Sequence, residues 1–174
     1  SGGLNDVAWR GSFSYGSRGR KVSQNPRILV LLNLCTVNQV RRMTPFAEKL
    51  MNRWRSAGSL LCVGLDTDLE RIPESMRYQK YPVFAFNQAI IDATHEQVCA
   101  YKPQIAYYAA IGAENQLEMT IQYLRSKYPK IPCILDAKRG DIGSTAEMYA
   151  REAFDRYHAD AVTANPYMGG DTLE

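Results

Sequence analysis

The stretch "ILDAKRGDIGSTAE", residues 134–147, decides the fold. It follows "IPC" directly, so an apolar run ends in Asp136, Lys138, Arg139 and Asp141, two carboxylates and two cations within six residues. A solvated turn is the plain reading of such a cluster, and an active site is the other. At a period of two, Asp136 and Lys138 point to the same side of a strand, and Asp141 falls in the turn before the next helix. The spacing Asp-X-Lys-X-X-Asp is expected to surround one ammonium with two carboxylates. Neighbouring anions favour the protonated form of such an ammonium. A structural ion-pair network at a strand end would look the same locally, so the surroundings must choose.

Outward from this stretch the chain alternates. "TPFAEKLMNRWRSAG" predicts a helix with Thr44 as N-cap, Pro45 in the first turn and Gly58 as the stop. "SLLCVGLD" (59–66) predicts a strand, "VFAFNQAIIDATHEQV" (83–98) a helix, and "CAYKPQIAYY" (99–108) a strand containing Lys102. "AENQLEMTIQYLRSKY" (113–128) has helical spacing, and "IPCILDA" (131–137) reads as a strand. "STAEMYAREAFDRY" (144–157) predicts a helix whose Ser144 and Glu147 match a capping box, and "ADAVTANPY" (159–167) is the fourth strand. The polar residues closing the four strands, Asp66, Lys102, Asp136 and Asn165, recur about every 30 to 36 residues. Alternating units of that length imply a parallel sheet with right-handed crossovers. Runs apolar throughout suit strands covered on both faces.

An open doubly wound sheet and a (β/α)8 barrel both satisfy this pattern. "GLDTDLE" after the first strand is no Gly-rich phosphate loop. Each strand instead delivers a polar residue at its carboxyl end, and in a barrel those ends converge on one site. The predicted class is therefore α/β, of the (β/α)8 TIM barrel family. Lys102, arriving from the neighbouring strand, would complete an alternating Lys-Asp-Lys-Asp array. Charged residues ending two earlier strands turn the balance from ion-pair network to active site.

Composition sets the outer limits. With 174 residues, 45% of them hydrophobic, the chain can hold one globular domain with a core. The net charge of +3 is uneven: residues 1–42 carry seven Lys/Arg and one acid, the remainder 14 Lys/Arg and 17 Asp/Glu. The basic balance belongs to the leader, and no basic surface interleaved with aromatics argues for nucleic acid. Residues 1–25 are Gly-, Ser- and Arg-rich without apolar period, a disordered composition. "RILVLLNLCTV" (27–37) is shorter than the ~20 residues a bilayer needs, so no membrane partner is expected. Segment 1–42 thus reads as a leader, a targeting segment or translated upstream sequence, and 43–174 as the barrel portion. Cys35, Cys62, Cys99 and Cys133 form no Cys-X-X-Cys pair, and buried free thiols in a reducing cytosol are expected. His95 and His158 stand alone, which argues against a metal site. Tyr101, Tyr107 and Tyr108 are expected to pack rather than to stack on a ligand. "RGD" at 139–141 is set aside as an adhesion motif, since Asp141 has the better use in the site.

"CVGLD", "YKPQIAYY", "LDAKRGDIGSTAEMYA" and "VTANPYMGGD" together closely resemble the orotidine 5′-phosphate decarboxylases, in the form of the longer subfamily. The resemblance runs through 43–174 and leaves 1–42 aside. It implies that Lys138 delivers a proton to carbon 6 of the pyrimidine as carbon dioxide leaves. It places Asp136 beside the substrate carboxylate, and Asp66 and Lys102 on the ribose hydroxyls. Asp141 and Thr145 would reach into the neighbouring subunit's site, with Ile142 also among the substrate-binding residues. A homodimer, an orotidine monophosphate substrate, a cytoplasmic enzyme of pyrimidine biosynthesis and no metal or organic cofactor follow from the same resemblance. A barrel takes ~250 residues, and only 132 remain from Met43. The resemblance therefore implies the N-terminal half of such an enzyme, about the first four βα units. Two alternatives stand beside it. One is an inactive fragment that self-associates. The other is a related sugar-phosphate barrel of the 3-hexulose-6-phosphate synthase group, which uses magnesium and puts an acid on the second strand.

Overall fold

The computed structural model describes residues 44–173, the Asp171 side chain excepted. The leader 1–42, its apolar run and Cys35 lie outside the described residues. Helix α1 (Pro45–Ala57) begins as the sequence dictates: the Thr44 hydroxyl accepts from Ala47 N, Pro45 opens the first turn, and Gly58 closes it at φ 62°. A left-handed C-cap is where glycine costs least.

Four short strands follow, β1 (Cys62–Gly64), β2 (Ala100–Lys102), β3 (Ile134–Arg139) and β4 (Ala161–Ala164). The pairs β1–β2 and β3–β4 are parallel. Parallel bridges at Tyr101–Cys133 and Gln104–Asp136 join the two halves, so the spatial order is β1-β2-β3-β4. Between the strands run α2 (Glu74–Arg77), α3 (Pro82–Thr94), α4 (Ile105–Ala109), α5 (Glu114–Lys127) and α6 (Gly143–Arg151).

The period of two divides the sheet cleanly. Tyr101, Leu135, Ala137 and Val162 turn outward and pack with Val83, Ile91, Leu117, Ile121 and Leu124 of α3 and α5. Ala100, Ile134 and Ala161 turn inward, where Phe46 and Leu50 of α1 cover them. Helix α1 is strapped across the amino ends of the strands. Lys49 pairs with Asp160 at 2.7 Å, and Arg53 donates to the carbonyls of Val98 (2.9 Å), Glu96 and His95. Asp160 in turn accepts from Cys133 N at 2.8 Å. One end of the sheet is thus plugged, and polar groups are left to the other.

Several expectations need correction. Segment 99–108 is not one strand: β2 ends at Lys102, and α4 begins at Ile105. Pro103 cannot continue the ladder, and the Gln104 side chain caps the new helix by accepting from Ala106 N. Helical spacing then buries Ile105 and Tyr108 while Tyr107 stays exposed. The capping box of α6 does not form. The helix starts at Gly143 after Ile142, and Glu147 accepts from Arg151 one turn later instead. Its carboxyl end, Glu152–Arg156, widens into a π turn. Cys62 is exposed rather than buried, because the inner face at β1 has nothing opposite it among the described residues. Cys99 and Cys133 are buried, and burial pushes the Cys133 thiol up to about 12.

Candidate functional site

At the carboxyl end of β3 the chain departs from a regular strand. Leu135 pairs with Val162 and Arg139 with Ala164, so Asp136, Ala137 and Lys138 stand opposite the single residue Thr163. The bulge puts Lys138 at φ 48°, a left-handed conformation uncommon for a side chain of this kind. Sheet bulges re-aim side chains beside functional sites. Here the result is a compact charge cluster.

Asp136 is its centre. One carboxylate oxygen accepts from Lys102 Nζ at 2.9 Å, and the other from Lys138 Nζ at 2.8 Å and from the Thr163 hydroxyl at 2.7 Å. Burial alone would raise this carboxyl, whose side chain is 10% exposed. The hydrogen bonds from Lys138, Lys102 and Thr163 outweigh burial and hold it down at about 2. The ionised Asp136 therefore stabilises the fold at neutral pH. That contribution is complete above about pH 4, the ordinary aspartate range, and is lost as pH falls through about 2. Lys102 shifts upward: burial opposes its charge, but Asp136 and the field of Asp66 prevail.

The remaining sequence-predicted residues are not part of this cluster. Asp66 is exposed beyond β1 and reaches it only through its field on Lys102. The Asp141 carboxylate turns back to accept from the Ile142 amide at 2.8 Å, so two carboxylates do not surround the Lys138 ammonium within one chain. Ile142 and Thr145 are exposed at the start of α6. Asp141 is half-buried in the β3–α6 turn that precedes them. The Lys138 side chain is 60% exposed. A hollow of about 450 Å³ lies apart from it, bordered by Thr67, Leu69, Ala106, Tyr107 and Ile111.

Second-row contacts fix the cluster's frame. A buried polar hub holds the end of β1. The Asn87 amide donates to the Tyr108 hydroxyl (2.9 Å) and to Thr120 (3.1 Å), its oxygen accepts from Thr67, and Tyr108 donates to Leu65 O at 2.8 Å. Arg139 makes a two-pronged ion pair with Glu152 of the π turn, at 2.9 and 3.1 Å, and lies over the Tyr149 ring. Asn165 clamps the bulge, its amide N donating to Arg139 O at 2.7 Å and its side chain to Lys138 O at 3.1 Å. Thr163 and this clamp carry no local sequence signal, because they lie about 25 residues from the residues they hold and meet them only through parallel register.

Gly140 belongs to the same clamp. A Cβ there would lie 2.9 Å from Asn165 O and 3.1 Å from Asn165 Cβ, a backbone collision rather than a flexible side chain. Gly140→Ala is expected to cost about 1–3 kcal/mol, read as a lower urea midpoint at unchanged slope. An unchanged midpoint would show that the turn has room to relax.

A parallel strand–helix alternation with charged groups gathered where strands hand over to helices has the layout of small-molecule enzymes built on parallel α/β sheets. The particular family follows from comparison with known proteins. The chain belongs to the Orotidine 5′-phosphate decarboxylase / HUMPS family, whose model matches residues 59–174. Orotidine 5′-phosphate decarboxylase from Cellvibrio japonicus is 63% identical over 130 residues, covering 74% of this chain and 48% of that protein. The enzyme of the same name from Ralstonia nicotianae is 58% identical over 129 residues, with the same coverage. Leishmania donovani OMP decarboxylase superposes with a TM-score of 0.61 at 38% identity, over 74% of this chain and 47% of that one. Leishmania donovani UMP synthase gives 0.60 at 40% identity, over 76% and 27%. The chain spans about half the length of the curated relatives it matches. No helix among the described residues is long and apolar enough to cross a membrane.

Proposed function

We propose that this chain supplies four of the eight strand–helix units of a (β/α)8 barrel, and that the completed barrel decarboxylates orotidine 5′-monophosphate to UMP in the cytoplasm. The observation that carries this is the Lys102–Asp136–Lys138 cluster at 2.8–2.9 Å on the open carboxyl side of the sheet. Decarboxylation leaves an electron pair on carbon 6 of the pyrimidine, and a fixed ammonium is the group such a carbon needs. Lys138 gives its proton there as the carbon–carboxylate bond breaks, and the neutral amine is reprotonated from water. Asp136, ionised at neutral pH, stands next to the substrate carboxylate. The like charges repel in the bound acid and separate as carbon dioxide leaves. Lys102 and Asp66 hold the ribose hydroxyls.

Asp141, Ile142 and Thr145 serve the site of a second subunit in this reading, which the exposure of Ile142 and Thr145 supports. The chemistry uses no metal or organic cofactor. An ammonium rather than an acid closes β2, which favours the decarboxylase over the magnesium-using sugar-phosphate branch of the family. The test is a chimera of this chain with the carboxyl-terminal half of the Cellvibrio japonicus relative. Incubation with orotidine monophosphate should produce ultraviolet loss of the substrate. A folded, soluble chimera that leaves the nucleotide intact would overturn the reading.

A further inference from the structure

The Thr163 hydroxyl sits where three demands meet. The bulge removes Ala137 N and Lys138 N from the β-ladder; Ala137 is buried, and a buried amide without a partner is costly. Both donate to Thr163 Oγ1, at 3.1 and 3.0 Å. With its acceptor sites so used, the hydroxyl has one proton left to donate, and it goes to Asp136 Oδ1 at 2.7 Å. A hydroxyl offers one donor and two acceptor sites, so this one is fully occupied. Thr163 is the residue of β4 that hydrogen-bonds to the Asp136 carboxylate.

We propose that Thr163 is the positioning residue of the cluster, its hydroxyl holding the β3 bulge open and aiming Asp136 between the two lysines. It touches no reacting atom. Its effect passes through the backbone of Lys138, which it keeps left-handed, and through one carboxylate oxygen of Asp136. The catalytic meaning of this role rests on the decarboxylase reading, but the role itself does not. The charged groups facing Asp136 are Lys102 from β2 and Lys138 from β3, with Asp66 beyond β1 acting on Lys102. Arg139 is turned away to Glu152.

The test uses the same chimera, with Thr163→Val removing the hydroxyl at nearly constant shape and Thr163→Ser keeping it. Carbon-13 NMR of labelled aspartate, assigned with Asp136→Asn, follows the Asp136 carboxyl. Thr163→Val should raise its titration midpoint by about one pH unit. The same variant should lower kcat by about tenfold or more, with KM changed less than about threefold. Thr163→Ser should restore both. Amide exchange in the unsubstituted protein gives a second measure that needs no variant to fold. Ala137 and Lys138 should be protected by about a hundredfold or more over an open loop. An unchanged Asp136 midpoint in Thr163→Val, a serine variant that behaves like valine, or unprotected Ala137 and Lys138 amides would each overturn the proposal. If the unsubstituted chimera fails to turn over the nucleotide, the decarboxylase reading falls, while the Asp136 midpoint still decides the role of the hydroxyl.

Discussion

Lys138→Ala in the completed barrel is expected to abolish decarboxylation while nucleotide binding stays measurable. Removing a positioned general acid costs roughly 10²–10⁴-fold on its own, and here the same change also unbalances Asp136. With Lys138 gone, Asp136 loses one of its three hydrogen-bond donors and keeps Lys102 and Thr163. Its carboxyl should stay ionised, so the site would hold a substrate carboxylate against an anion with one cation fewer. Both effects act on the chemical step, and the ribose contacts proposed for Asp66 and Lys102 remain. Isothermal titration with UMP and the ultraviolet assay separate the two. Turnover within tenfold of the unsubstituted chimera would remove Lys138 from the proton-donor role. Subunit sharing can be read from the same variant. Lys138→Ala and Asp141→Ala chimeras, each inactive, should regain activity when mixed. Random exchange between symmetric dimers gives about a quarter of the sites both native residues. Mixtures that exchange fully yet stay inactive would confine Asp141 to its own chain.

The legibility of this site in sequence was uneven, for physical reasons. Asp136 and Lys138 were readable because a strand alternates and the apolar run fixes which side is which. Lys102 was readable because it ends a neighbouring strand at a constant spacing. The bulge was not readable, since it exists only once β3 and β4 are in register, and Thr163 acquires its role from that pairing alone. That Asp141 does not flank Lys138 within the chain was not readable, because spacing gives proximity but not direction. Its carboxylate binds the next amide, a short-range choice typical of aspartate in turns. The β2–α4 error had an available signal: Pro103 inside an apparent strand demands a break. The exposure of Cys62 had none, because "SLLCVGLD" is apolar enough for a buried strand, and it is open because no described residue covers it on the inner face.

Residues 1–174 by themselves are expected to show no decarboxylase activity and not to remain monomeric. Four strands account for half of a closed barrel. Among the described residues nothing pairs with the outer edge of β1 or of β4. Unpaired edges invite pairing with another chain. The surfaces beside them are apolar: Leu60 and Leu61 lead into β1, and Tyr167, 89% exposed, and Met168 follow β4. The plug made by Phe46 covers only the amino end of the inner face, which leaves Cys62 and Gly64 open. Such edges and patches should drive self-association or capture of a complementary half-barrel. Activity should fail for a separate reason. The Lys138 side chain is 60% exposed among the described residues, and an ion pair in water has little of the preorganised field that stabilises a carbanion. Sedimentation velocity of the purified chain should show dimers or larger species at micromolar concentration. Adding the carboxyl-terminal half of the Cellvibrio japonicus relative in trans should shift these toward a defined complex and bring back ultraviolet loss of orotidine monophosphate. A monodisperse monomer would refute the edge argument. Turnover by residues 1–174 alone, at the rate of the completed barrel, would show that the charge cluster needs no further walls.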